Sequence, residues 1–424
     1  MRLGQACCDQ VVRPGVTYNL ISAKMSPAMQ SFDTIVVGLG AMGSACIYQL
    51  AKRHNRILGI DRFSVPHDYG STHGESRIIR QAIGEGEQYV PLVLRSYELW
   101  RALEKETGQT LLTTTGGLIL EPEQSVVLTH GRHNFLAQTI DCAKKFNIRH
   151  NILETKEIKK RFPQFILTNE LGYYEYETGY LRPELCVQAQ LQLAENYGAT
   201  IRLNEKVTSI DSHGKSAITV VTDRSTYTAE KLVLSAGAWL AGFLPEYGEI
   251  FKVYRQVMHW FRIEESARET FAPGRFPIFI WIFDKGGDFA FYGFPTLDRV
   301  TLKIAGEQYS ESTSTESVER TISKEENALA YSTYVRGRFH GLTHVCERAT
   351  TCLYTTTPDS HFVIDFYPGN DRIVIASPCS GHGFKHSAAI GEVVCELVTL
   401  GKSRIPIDAF RIDRFAGGSV TDSA

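Results

Sequence analysis

One turn constrains this chain more than any other feature: Gly38-Leu39-Gly40-Ala41-Met42-Gly43, a Gly-x-Gly-x-x-Gly element. It follows the apolar, β-branched run Thr34–Val37 and precedes a helix predicted over Ser44–Arg53. A second strand is predicted over Arg56–Ile60, and it ends at an acid, Asp61. Strand, glycine turn, helix, strand and acid in that order predict a βαβ unit that holds a dinucleotide. Gly38 permits the tight turn, Gly40 lets the backbone approach a pyrophosphate, and Gly43 lets helix and strand pack closely. Unpaired N–H groups at the helix start then face the phosphates, and Asp61 accepts hydrogen bonds from a ribose diol. The bland alternative is a glycine-rich turn in an unrelated α/β fold, and the flanking elements argue against it. The motif does not choose between NAD and FAD.

At 424 residues the chain exceeds what one hydrophobic core usually serves, so two lobes are expected. A net charge of −2 gives no reason to expect nucleic-acid binding, and no apolar run reaches the ~20 residues that span a bilayer. The nine cysteines are scattered, odd in number and without a Cys-x-x-Cys pair, which disfavours a disulfide scaffold or a metal site. A reducing cytoplasm fits that usage. Residues 1–31 read as a disordered tail or an over-extended start, with Met25 and Met29 as alternative starts, and residues 416–424 as a second tail.

Between these tails the clearest amphipathic helix covers Tyr89–Glu106, with Leu92, Leu99 and Leu103 on one stripe and Val93, Tyr97 and Trp100 beside it. A helix is predicted over Pro183–Tyr197, then strands at Thr200–Leu203, Val207–Ser212, Ile218–Thr222 and Lys231–Ser235. Residues 250–305 are aromatic and β-branched, which suggests a separate sheet. A strand at Arg372–Ala376, a glycine turn and a helix over Ser387–Leu400 close the chain. The economical reading is an α/β nucleotide domain interrupted by a sheet-rich lobe.

Four blocks carry a family resemblance. They are Gly70-Ser71-Thr72-His73-Gly74-Glu75-Ser76-Arg77-Ile78-Ile79-Arg80 with Gly84-Glu85-Gly86; Tyr292-Gly293-Phe294-Pro295 with Lys303; Cys352-Leu353-Tyr354-Thr355 with Pro358-Asp359; and Ser380-Gly381-His382-Gly383-Phe384-Lys385. In order and spacing the chain from Phe32 to about Phe415 resembles the monomeric sarcosine oxidase family, which includes N-methyltryptophan and pipecolate oxidases. The resemblance implies a glutathione-reductase-type Rossmann FAD domain (32–112, 173–248 and 344–415) and an interleaved mixed-sheet substrate domain (113–172 and 249–343). It implies FAD, held covalently by a thioether from Cys352 to the ring's 8-methyl carbon. It also implies a small amino-acid substrate, O2 as acceptor and a monomer.

Roles carry over residue by residue. Arg80 and Lys385 match the substrate-carboxylate anchors, a guanidinium fork and a compact point charge. Lys303 matches the lysine that activates oxygen; from the sequence alone it reads equally as a solvent-facing residue on an alternating strand. Arg77 and His73 match residues at the flavin's reactive face, and Tyr292 and Tyr354 match residues lining the substrate cavity. Cofactor contacts are expected from Gly38, Gly40, Ala41, Met42, Gly43, Asp61, Arg62, Ser71, Ser76, Arg77, Val207, Ala236, Gly237, Cys352, Gly381, Gly383, Phe384 and Lys385. The helix after Lys385 is expected to point its N-terminus at the flavin.

One position departs from the sarcosine-type pattern. Four residues after Lys303 those enzymes carry histidine, and here Glu307 stands, as an acid does in the distantly related fructosyl-amino-acid oxidases. An acid in the cavity favours a substrate with a cationic or hydroxylated group. Three readings follow: an oxidase of N-methyl or cyclic secondary amino acids, an amine dehydrogenase with another acceptor, and a catalytically silent nucleotide-binding protein. Lys303 argues against the second, and the intact set Arg80, Lys303, Cys352 and Lys385 against the third.

Overall fold

The computed structural model describes residues 30–53, 56–123, 128–129, 132–133, 135–213, 217–283 and 290–415. Of the tails predicted over residues 1–31 and 416–424, residues 1–29 and 416–424 lie outside that range, whereas Gln30 and Ser31 belong to a strand. The first strand starts at Gln30, four residues before the predicted run Thr34–Val37 and two before the predicted start of the domain at Phe32, because Gln30 and Ser31 pair in register with Tyr227 and Thr228 of a long neighbouring strand.

The glycine turn sits where the βαβ reading places it. Strand Gln30–Val37 runs parallel to Ile57–Ile60 on one side and to Thr226–Leu234 on the other. Thr200–Arg202 extends the sheet beyond Ile57–Ile60. The outer edge of Thr226–Leu234 is shared: its first half pairs antiparallel with Ile218–Thr222, and Leu232–Leu234 pair parallel with Ile373–Ile375. With Val207–Asp211 beside Ile218–Thr222 and Val363–Tyr367 beside Asn370–Ser377, the result is an eight-stranded mixed sheet. Helices Ala41–Ala51, Pro183–Asn196 and Ser387–Leu400 pack together with Val90–Thr107 over one core, where Ile47, Leu50, Val187, Ile390 and Val394 are buried. The buried stripe of Val90–Thr107 is Leu92, Ser96, Trp100 and Leu103; Leu99, expected on it, lies at its partly exposed margin.

The aromatic stretch forms a separate nine-stranded sheet. Its long pair is Lys252–Ile263 against Leu342–Thr356, and Thr301–Gly306, Ala290–Gly293 and Ile278–Ile282 follow in order. Gly117–Pro122, Glu170–Glu175 and His150–Leu153 continue it, and Ser312–Thr313 pairs with Lys252–Ile263 at the other end. Phe165, Phe276, Phe279, Trp281 and Phe291 pack edge-to-face and stacked beneath this sheet, burying large area with few rotors. A small sheet of Arg77–Ile79, Gly179–Leu181 and Leu112–Thr114 lies outside both.

Candidate functional site

The glycine turn is sterically obligatory. A Cβ on Gly43 would stand 1.8 Å from the Gly38 carbonyl oxygen, and Gly38 itself has φ +88° against the Ser235 backbone. A Cβ on Gly40 would meet nothing closer than Thr72 Oγ1 at 3.5 Å, so this backbone faces open space. Gly40 is the N-cap of helix Ala41–Ala51 and brings no capping side chain. Apart from Ala41 N, which makes a long contact to Thr72 Oγ1 (3.4 Å), the amides of that first turn are left for a ligand, as a pyrophosphate site needs. A Gly43→Ala variant is expected to purify without bound flavin, read from its visible spectrum; a yellow variant would count against this role for the turn.

Asp61 is tied into the same turn. Its carboxylate accepts from Leu39 N (2.8 Å) and Phe63 N (2.9 Å). Burial pushes its pKa up, and the two amides oppose that rise.

From this turn one cleft of about 430 Å³ runs into the second lobe. Gly38, Gly40, Ala41, Met42, Asp61, Arg62, Ser71 and Arg77 line it, as do Val207, Ala236 and Gly237. Farther along stand Arg80, Tyr292, Tyr354, Glu307 and the run Gly381–Lys385. Five predicted residues, Gly43, His73, Ser76, Lys303 and Cys352, are not part of the lining; they lie buried behind it. The lining also includes residues that the sequence did not suggest, among them Phe63, His67, Trp239 and Cys379. Arg62 lies over the rings of Phe63 and Trp239, 4.9 and 5.1 Å from their centroids. Only the fold brings these aromatics together.

Lys303 is held from three sides. Its Nζ donates to Gly74 O (2.7 Å), Ser76 O (2.9 Å) and Ser76 Oγ (3.2 Å), and it lies 4.6 Å from the Phe294 ring centroid. Five of the six residues of Thr301–Gly306 are buried, so the alternating, solvent-facing reading fails: this strand is covered on both faces. Burial, and then the nearby Arg77 charge, push the Lys303 pKa well down. Arg77 donates to Ser76 O and Ser71 O, both at 2.8 Å, and its Nη2 stands 3.7 Å from Cys352 Sγ. Burial raises the Cys352 thiol pKa, and Arg77 and Lys303 oppose that. His73 is pushed down to about 3 by burial and by those two cations, so it is neutral, and its Nε2 has no hydrogen-bond partner among the described residues.

At the far end Arg80 is 3% exposed and forms a close ion pair with Glu85, together with a hydrogen bond to Ala82 O. Lys385 donates to His382 O (2.8 Å); burial pushes its pKa down to about 7, with Glu85 opposing the fall and Arg80 adding to it. The hydroxyls of Tyr292 and Tyr354 are 3.2 Å apart, and Tyr309 donates to Glu307 Oε2 at 3.1 Å. Helix Ser387–Leu400 does not itself reach the cleft. A 3-10 turn, Phe384–His386, precedes it, and the cleft wall ends at Lys385. That turn continues without a break into the helix, so the start of the helical run lies at the cleft wall.

The family model described as FAD dependent oxidoreductase (DAO) matches residues 33–397. The chain belongs to this family. Among the family's members, a monomeric sarcosine oxidase of Streptomyces avermitilis is 37% identical over 92% of this chain and 99% of its own. An N-methyl-L-tryptophan oxidase of Yersinia pestis is 33% identical over 91% of this chain and 99% of its own. In three dimensions the chain resembles NikD, an amino acid oxidase of nikkomycin biosynthesis, with a TM-score of 0.79 at 23% identity over 90% of this chain and 98% of that one. The α/β class and the FAD cofactor expected from the sequence thus hold, and the chain is an FAD-dependent oxidoreductase. Among the described residues no helix is long and apolar enough to cross a membrane, and no cluster of side chains fits a metal ion.

Proposed function

We propose that this FAD-dependent oxidoreductase oxidises a secondary amino acid, N-methylated or cyclic and sarcosine-like, and hands the electrons to O2 to give hydrogen peroxide. The observation that carries this reading is the single cleft that joins the glycine turn to Arg80 and Lys385, with Lys303 and Cys352 buried behind Arg77. When bound, FAD would supply the redox chemistry, as acceptor of a hydride from the carbon next to nitrogen. The chain's own residues do the rest. Arg80 and Lys385 grip the substrate carboxylate, Tyr292 and Tyr354 wall the amine end, and Lys303 supplies positive charge for oxygen reduction. In this reading the eight-stranded sheet and its helices form the FAD domain, and the nine-stranded sheet forms the substrate lobe.

Cys352 is the proposed covalent anchor. The neighbouring guanidinium supports its thiolate form, which attack requires. Acid precipitation of the purified protein is expected to leave its yellow colour in the pellet, and Cys352→Ser to release it into the supernatant. Free flavin from the unaltered protein would refute the anchor. Seven described cysteines are unpaired, which supports work in a reducing compartment such as the cytoplasm. We further propose that the protein acts as a monomer.

Glu307 in the cleft wall favours a second reading of the substrate, one with a cationic or hydroxylated group, such as a fructosyl amino acid. Peroxide assays with sarcosine, pipecolate, N-methyltryptophan and fructosyl-glycine separate the two. Oxygen-dependent peroxide from none of them would reject the oxidase reading for that panel.

A further inference from the structure

Glu184 stands in the first turn of helix Pro183–Asn196, where an acid ordinarily serves the amides of its own helix. Here it reaches out of the helix instead. Its Oε1 accepts from Gly74 N at 2.6 Å and from Glu75 N at 3.0 Å, two amides more than a hundred positions earlier in the chain. Both residues have positive φ, +93° for Gly74 and +70° for Glu75, and for glutamate that is a strained backbone that something must hold.

The other side of the same loop carries the carbonyl oxygens of Gly74 and Ser76. Both receive Lys303 Nζ, and Ser76 O also receives Arg77. Three residues of backbone therefore lie between a carboxylate and two cations, N–H groups toward the anion and C=O groups toward the ammonium. No ion pair among the described residues includes Lys303 itself, although it is 3% exposed. Its charged neighbours are Arg77 at the head of the small sheet, Cys352 on the long strand, Glu75 and neutral His73 in the loop, and Glu184. Glu75 is engaged elsewhere, with Arg348 at 2.7 Å and Trp260 Nε1 at 3.3 Å.

We propose that Glu184 is a positioning residue for the oxygen-activating lysine: it clamps the Gly74–Ser76 loop in its strained form and, through that loop, supplies the countercharge that keeps Lys303 an ammonium. The inference rests on the role given to Lys303 under the proposed function. The direction of the pH effect follows from the sign of the charge. Of the groups that hold Lys303 protonated, Glu184 is the foremost, so neutralising it lowers the Lys303 pKa further. The ammonium, and with it oxygen reactivity, is then lost at a lower pH.

Two variants and two measurements test this on the flavin-loaded protein. Glu184→Gln keeps an oxygen acceptor and removes the charge; Glu184→Ala removes both. Hydrogen–deuterium exchange of the peptide covering residues 70–80 is expected to speed up in Glu184→Ala and to stay near that of the unaltered protein in Glu184→Gln. After reduction with dithionite, which needs no substrate, reoxidation by O2 is followed across pH. In Glu184→Gln the high-pH falling limb is expected to move acid. At a pH on that limb, a curve displaced by a full pH unit reads as a rate about tenfold slower. Unchanged exchange in Glu184→Ala would overturn the clamp, and a profile that stays in place in Glu184→Gln would overturn the countercharge. A Lys303→Met variant measured alongside separates the two layers: rapid reoxidation there refutes the role of Lys303, whereas the exchange data still report on the clamp.

Discussion

Replacing Lys303 with methionine is expected to slow reoxidation by O2 roughly 10²- to 10³-fold, the scale on which one preorganised charge contributes to a reaction. Anaerobic reduction by substrate is expected to stay near that of the unaltered protein. The expectation follows from how the lysine is held. All three ammonium hydrogens point at oxygen atoms of one loop, and the ring of Phe294 covers the charge. Such a cation does not reorganise when negative charge develops on oxygen, so its attraction is available in full as the first electron arrives. Methionine matches the stem in length and apolar character but brings no charge. Because burial lowers the lysine's pKa, the unaltered protein should lose oxygen reactivity as pH rises, and the variant should lack that dependence. Stopped-flow traces of the two half-reactions decide the matter. Equal reoxidation rates would contradict the assignment.

The second large effect is expected at Arg80. Arg80→Met should reduce kcat/KM for a carboxylate-bearing substrate by about 10²-fold or more, the cost of truncating a buried charge partner. The same change should lower stability by roughly 3–5 kcal/mol, because Glu85 loses the guanidinium that offsets its burial. The two losses separate in a double variant. Arg80→Met with Glu85→Gln is expected to regain much of the melting temperature and none of the kcat/KM. Recovery of both together would mean that Arg80 is a structural partner of Glu85 and not a substrate anchor. Under the proposed role of Arg80 the pair also bears on affinity, since an incoming carboxylate would compete with Glu85 for the same fork.

Much of the fold was legible because local signals and tertiary demands agree. Helix Ser387–Leu400 has the predicted ends: it is apolar nearly throughout and stops at Gly401, which takes the left-handed C-cap conformation. Ile218–Thr222 matches its predicted limits as an alternating strand. Lys303 was not legible in this way. A strand buried on both faces carries no period-two signature, so burial of the lysine depends on partners that only the assembled sheet provides. The contact from Glu184 to Gly74 was equally hidden: an acid after a helix-opening proline looks like a cap for its own helix. The aromatic wall of Phe63 and Trp239 joins distant segments and left no local trace.

The shared edge of strand Thr226–Leu234 has a consequence for how the protein is born. Its partner Ile373–Ile375, and the helix Ser387–Leu400 that covers Ala41–Ala51, leave the ribosome long after the elements they complete. Until they emerge, a hydrogen-bonding edge and an apolar helix face stay open on the amino-terminal half, a state exposed to mispairing and slow to resolve. The cleft wall at Gly381–Lys385 is made with them, so the cofactor site is complete only once this late stretch has been synthesised.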